Sequence, residues 1–94
     1  MNQEINRIHW KCRRGMREID LLLREFASGD LLVMDEEGVN VFDSILDYDD
    51  QKLFDYIFKG VSLSNDSHEI FIDKHLKKFT KHHKPLLIKE FLEL

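Results

Sequence analysis

The stretch IHWKCRRGMREID, residues 8–20, places one tryptophan, the only cysteine, three arginines and a glycine inside a run of helical apolar spacing. Ile5, Ile8 and Cys12, then Met16, Ile19, Leu22, Leu23 and Phe26, recur at intervals of three and four, the pattern of a helix with one face in a core. If residues 3–26 formed one helix, Gly15 would sit at its midpoint at a cost of about 1 kcal/mol relative to alanine. The flanking charges favour two helices instead. Arg13 and Arg14 complement the negative C-terminal end of a first helix, and Gly15 is free to take a left-handed cap conformation. Glu18 and Asp20 then fall in the first turns of a second helix, beside its positive end. The expectation is an αα-corner that presents Arg14, Arg17 and Glu18 at the bend, with Met16 starting the next core face.

Outward from that corner, the helical pattern continues and strand signals are nearly absent. Ser28, Gly29 and Asp30 stop the second helix, and a short apolar connector, LLVM, leads to Asp35 as N-cap of a third. Val39, Phe42, Ile45 and Leu46 give that helix its core face. Asp49 or Asp50 caps a fourth, which carries Leu53, Phe54, Ile57 and Phe58 and ends at Gly60 as a C′ residue. Asp66 and Glu69 form a capping box for a fifth, which runs through Ile72, Leu76 and Phe79 and is closed by Pro85. The tail LLIKEFLEL, residues 86–94, is either a short sixth helix or an ordered arm. The fold class is therefore all-α: one domain over residues 1–94, a compact five-helix bundle with its core over about residues 3–83 and an extra C-terminal helix or arm over 84–94. Helices of roughly 10 to 15 residues are marginal alone, so tertiary packing must hold them.

A chain of 94 residues builds one domain in which nearly every apolar side chain serves the core. A single cysteine excludes an internal disulfide, a four-cysteine zinc cluster and CxxC redox chemistry. The N-terminal MNQEINR is followed by no apolar h-region, and no apolar run approaches the roughly 18 residues of a membrane span. The expected setting is soluble and cytoplasmic, without membrane insertion. Residues 1–24 hold six basic and three acidic groups, residues 25–58 one and ten, and residues 59–94 seven and five. An acidic middle argues against a broad nucleic-acid face; a protein partner with patches of both signs fits better.

Each conspicuous residue also has a plain structural reading. Arg13, Arg14 and Arg17 suit a solvated helix end; Trp10 suits a core; Cys12, on the apolar stripe, suits inert burial. His9 and Cys12 have ligand-like spacing, but two ligands do not make a zinc site, and no metal site is expected. His68, His75 and His82 recur every seven residues, roughly 10 Å apart on a helix, too far to share a metal. The aspartates at 47, 49 and 50 lack a calcium loop's longer ligand array and glycine.

The string Ile8, His9, Trp10, Cys12, Arg13, Arg14, Gly15, Met16, Arg17 and Glu18 closely resembles the signature of the FAD (flavinylation) assembly factor family, the bacterial SdhE/YgfY proteins and mitochondrial succinate dehydrogenase assembly factor 2. A second segment, Leu46, Tyr48, Asp49, Asp50, Leu53 and Phe54, resembles that family's L-x-x-x-D-D-x-x-L-F pattern, and the resemblance covers roughly residues 5–80. It implies a five-helix bacterial, cytoplasmic assembly chaperone that assists covalent attachment of FAD to a histidine of the flavoprotein subunit of succinate dehydrogenase, and also of fumarate reductase. It places Arg14, Gly15, Arg17 and Glu18 at the client interface; His9, Trp10 and Arg13 flank them. The reacting atoms belong to the client, so no catalytic residue and no cofactor of the protein's own is expected, FAD being the client's. The chain is expected to act as a monomer. The competing class is an antitoxin-like or nucleic-acid-binding regulator that sets Arg13, Arg14 and Arg17 on phosphates. The absence of Asn or Gln readers in that stretch counts against it. An enzyme is the weakest class, because the chain carries no phosphate-cradling loop, spaced nucleophile and base, or metal triad.

Overall fold

The computed structural model describes residues 2–81, and among them the fold is all-α. Five helices follow in order: α1 (Asn2–Lys11), α2 (Arg17–Ser28), α3 (Glu36–Ile45), α4 (Asp50–Lys59) and α5 (Asp66–Phe71). Pro85, His82 and the tail 84–94 lie outside the described residues. The break between α1 and α2 falls where the charges around Gly15 place it. Gly15 itself is not left-handed; among the described glycines only Gly60 has positive φ. The bend therefore closes without the cap conformation expected at Gly15.

The helix ends follow local chemistry. Asp35 caps α3 by accepting from the Gly38 N–H at 2.8 Å, and Asp49 caps α4 by accepting from the Lys52 N–H at 2.8 Å. Gly60 ends α4 at φ +73°, its N–H donating back to the Tyr56 carbonyl while the Val61 N–H donates to that of Asp55. At α5 the expected capping box gives way to a single-residue cap. Asn65, not Asp66, is the N-cap, accepting from the His68 N–H at 2.9 Å. Glu69 reaches past the cap to accept from the Leu63 N–H at 2.7 Å and the Ser62 hydroxyl at 2.9 Å. The Glu69 carboxylate thus fastens the preceding loop rather than the cap residue. The apolar connector after α2 winds into a 3₁₀ turn, Asp30–Val33, that buries Leu31 and leaves Leu32 and Val33 exposed. Beyond α5 the chain widens into a π turn, Ile72–Leu76, and tightens into a 3₁₀ turn, Lys77–Phe79.

The core sits where side chains of α2, α3 and α5 meet, with α4 packed on α2. Phe26 lies 4.7 Å from Phe42 and 5.8 Å from Phe71 between ring centroids, and Ile8, Cys12, Ile19, Leu22 and Leu23 close the side toward α1. On α4 the face fully turned inward is Leu53 and Tyr56; Phe54, Ile57 and Phe58 are only partly buried. Tyr56 was not expected inside. Its ring is buried while its hydroxyl donates to the Asp73 carboxylate at 2.7 Å, which satisfies the polar end of an otherwise apolar side chain. Among the described residues no helix is long and apolar enough to cross a membrane.

Candidate functional site

Between Lys11 and Arg17 five residues turn the chain from α1 into α2. Cys12 opens the turn on the core side, fully buried, and burial pushes its thiol up to about 12, which makes it an inert packing residue. Arg14 is also turned inward, contrary to its expected presentation at the bend. Its side chain is 11% exposed, and its guanidinium donates through Nε to Asp50 Oδ1 at 2.7 Å. Nη1 donates to the carbonyls of Lys11 at 2.9 Å and Leu46 at 3.0 Å, and Nη2 to the carbonyl of Tyr48. The planar fork of an arginine matches such a set of acceptors; an ammonium does not.

The backbone of the bend is held by two aspartates. Asp20 Oδ1 accepts from the Arg14 N–H at 2.8 Å, and Asp50 Oδ2 accepts from the Met16 N–H at 3.0 Å. Gly15, between them, is exposed, and a Cβ added there would meet only Asp50 Oδ2, at 4.0 Å. On the α2 side Arg17 is exposed and Glu18 half-buried, and among the described residues neither side chain has a hydrogen-bond or ion-pair partner. The α2 N-cap, Met16, supplies no side-chain acceptor to the helix's free N–H groups. On the α1 side Trp10 is 69% exposed, outside the core, with the Arg13 guanidinium 4.8 Å from the ring centroid, and His9 is half-buried. The structure therefore brings His9, Trp10, Arg13, Gly15, Arg17 and Glu18 to the borders of one bend and places Arg14 beneath it.

The basic front and the acidic middle of the chain face each other. Arg7 pairs with Asp43 at 3.0 Å, Lys11 with Asp43 at 2.8 Å and Asp47 at 2.9 Å, and Arg14 with Asp50. Both sets advance by four and then three residues, so α1 and the α3–α4 connection zip along one seam. Charges that resembled patches for a partner are mostly used within the fold. Near the bend this leaves Arg13, Arg17 and Glu18 outside that seam, a thin cationic surface for a nucleic-acid duplex. Hydrogen bonds from Arg7 hold the Asp43 carboxyl below its usual range, against the cost of burial, with Lys11 adding to the effect. A carboxylate depressed on folding stabilises above its unfolded pKa and loses that contribution as pH falls through the folded value. Asp43→Asn is expected to cost about 1 kcal/mol at pH 7. Urea unfolding at descending pH should show the gap from wild type closing once the carboxyl is protonated; a gap independent of pH would contradict this.

His68 and His75 do separate work rather than forming a shared site. His68 Nδ1 lies 2.8 Å from the Tyr48 hydroxyl, and His75 packs 4.6 Å from the Phe71 ring, with burial pressing its pKa down. Among the described residues no cluster of three His, Cys, Asp or Glu side chains can hold a metal. Sequence reasoning missed Asp20, Asp43 and Asp50 as partners of the bend and its seam. The matching intervals of Arg7, Lys11, Arg14 and Asp43, Asp47, Asp50 were the available signal.

Comparison with known proteins adds the family. A family model described as "Flavinator of succinate dehydrogenase" matches residues 6–80. A protein of Legionella pneumophila named FAD assembly factor SdhE is 39% identical over 56 residues, 60% of this chain and 71% of that one. Relatives of the same name from Coxiella burnetii and Vibrio parahaemolyticus are 34% identical over 64 residues and 33% over 72, covering 66% and 77% of this chain and 78% and 84% of theirs. No solved structure gives a significant match. With the family model spanning the bend, the seam and the core helices alike, the chain belongs to the Sdh5 family, flavinator of succinate dehydrogenase.

Proposed function

We propose that the protein is an assembly factor that promotes covalent attachment of FAD to the flavoprotein subunit of succinate dehydrogenase, docking on that subunit through the bend at residues 12–18. Family membership and the names of its relatives support the client and the task. The observation that carries the docking surface is Gly15: exposed, free of a left-handed backbone requirement, and flanked by Arg17 and Glu18, which have no partner among the described residues, on a backbone fixed by Asp20 and Asp50. Neither the fold's torsions nor its packing calls for a glycine there, whereas close approach of a partner backbone does.

The acceptor histidine and FAD are the client's, so the chain's own residues have binding and orienting roles. Arg17 presents a planar fork for a client carboxylate or carbonyl, Glu18 accepts from client donors, and the exposed Trp10 with Arg13 across its ring supplies an apolar anchor of the kind that dominates interfaces. Holding the client so that flavin and histidine stay in reacting geometry lowers the barrier by orientation alone. The protein acts as a monomer in the cytoplasm, and the fumarate reductase flavoprotein is a second client. Arg14 serves the same interface from underneath, by shaping the bend.

The test is in-gel fluorescence of the flavoprotein subunit produced with and without this protein. Covalent flavin is expected to fall severalfold without it, and Glu18→Ala is expected to restore at most about a tenth of the wild-type effect. Equal flavin in all three samples would overturn the assignment.

A further inference from the structure

We propose that Asp50 is a positioning residue for client docking, resting on the function just assigned: it fixes the conformation of the Gly15 bend before the client arrives. The adjacent aspartates Asp49 and Asp50 have different duties. Asp49 is the helix cap of α4, its carboxylate accepting from the Lys52 N–H at 2.8 Å. Asp50, the first residue inside α4, makes no cap. Both its oxygens go to the bend, Oδ1 to Arg14 Nε at 2.7 Å and Oδ2 to the Met16 N–H at 3.0 Å. The residues leading into α4 add to the grip, because Leu46 and Tyr48 offer their carbonyls to the same guanidinium. Leu46, Tyr48 and Asp50 are thus a support for the bend more than 30 residues away in sequence.

The need for such a support follows from Gly15. Glycine has the widest conformational freedom of any residue, and ordering a flexible segment on binding weakens affinity. A bend that must be both bare enough for close approach and already in shape needs anchors on either side of the glycine. The structure supplies them as carboxylates: Asp20 on the Arg14 amide and Asp50 on the Met16 amide. Asp50 is the stronger candidate for positioning because it also orients the Arg14 side chain. Asparagine at position 50 keeps the size but has a single acceptor oxygen, so it cannot accept from the Arg14 Nε–H and the Met16 N–H together, and the bend loses one of its two anchors there.

The test compares Asp50→Asn with Asp49→Ala, which weakens the same helix one residue away without touching the bend. Two quantities are read for each: amide hydrogen exchange at Met16, and the concentration of the protein giving half-maximal flavin attachment to purified flavoprotein subunit with FAD. Asp50→Asn is expected to speed Met16 exchange and raise the half-maximal concentration about tenfold, with the plateau rate unchanged. Asp49→Ala is expected to lower the melting temperature yet leave the half-maximal concentration within about twofold of wild type. Unchanged Met16 exchange in Asp50→Asn, an unmoved half-maximal concentration, or an equal shift in Asp49→Ala would each overturn the positioning role. Wild-type protein that fails to promote flavin attachment would instead overturn the docking function, and this proposal with it.

Discussion

Replacing Arg14 with methionine is expected to cost the fold about 3 kcal/mol, although the residue belongs to the most recognisable motif of the chain. Breaking a fully buried pair by removing one partner typically costs 3–5 kcal/mol; this pair is partly buried, with the side chains 11% and 24% exposed, which places the cost at or below the low end of that range. The methionine fills part of the volume but leaves the Asp50 carboxylate and the carbonyls of Lys11, Leu46 and Tyr48 without their common donor. For a domain of this size the loss corresponds to a drop in melting temperature on the order of 15 °C, read by circular dichroism. Arg14→Lys is expected to recover less than half of it, because a point charge cannot serve acceptors spread around a planar fork. A loss below about 1 kcal/mol for Arg14→Met would mean that the bend holds its shape without the guanidinium.

Gly15→Arg is expected to give the opposite profile, with the fold kept and the activity lost. A Cβ at position 15 meets only Asp50 Oδ2, at 4.0 Å, and the position is exposed and requires no left-handed backbone, so the melting temperature should stay within a few degrees of wild type. On the proposed docking surface the same side chain would stand where a client backbone approaches. Loss of a central contact of about 2.7 kcal/mol or more corresponds to on the order of a 100-fold weaker complex, and covalent flavin on the client should fall to the level seen without the protein. Gly15→Ala, adding one methyl group, should fall between. The pair of readouts separates the roles within one motif: Arg14 fails in melting, Gly15 in flavin attachment. Wild-type flavin levels with Gly15→Arg would remove the bend from the docking surface.

These two residues also mark where sequence reasoning succeeded and where it failed. The break at Gly15 was legible because helix dipoles leave a charge signature, basic before the break and acidic after it. Trp10 had two readings, a core residue by its apolar bulk and a flank of the client interface by the resemblance, and the tertiary arrangement, which leaves it 69% exposed, decides against the core. Arg14 and Arg17 are the same residue type three positions apart on the same motif, yet one is sequestered and the other exposed. That difference lies in Asp50 and in the Leu46 and Tyr48 carbonyls, which only the fold brings near.

What the sequence determined by itself was everything set by short-range physics. Apolar intervals of three and four laid out five helices, and Asp35, one of Asp49 and Asp50, and Gly60 marked their ends, because caps and periodicity act within one or two turns. The cap of α5 was misread by one residue, since Asn65 and Asp66 both carry a capping oxygen and the loop tied down by Glu69 decides between them. Only the tertiary structure decided which charges remain outside. The basic and acidic thirds of the chain looked like surfaces for a partner until α1 was laid along the α3–α4 connection, where Arg7, Lys11 and Arg14 meet Asp43, Asp47 and Asp50. A charge's availability is a property of what packs against it, and the packing here joins residues more than 30 positions apart, beyond the range at which sequence spacing carries information.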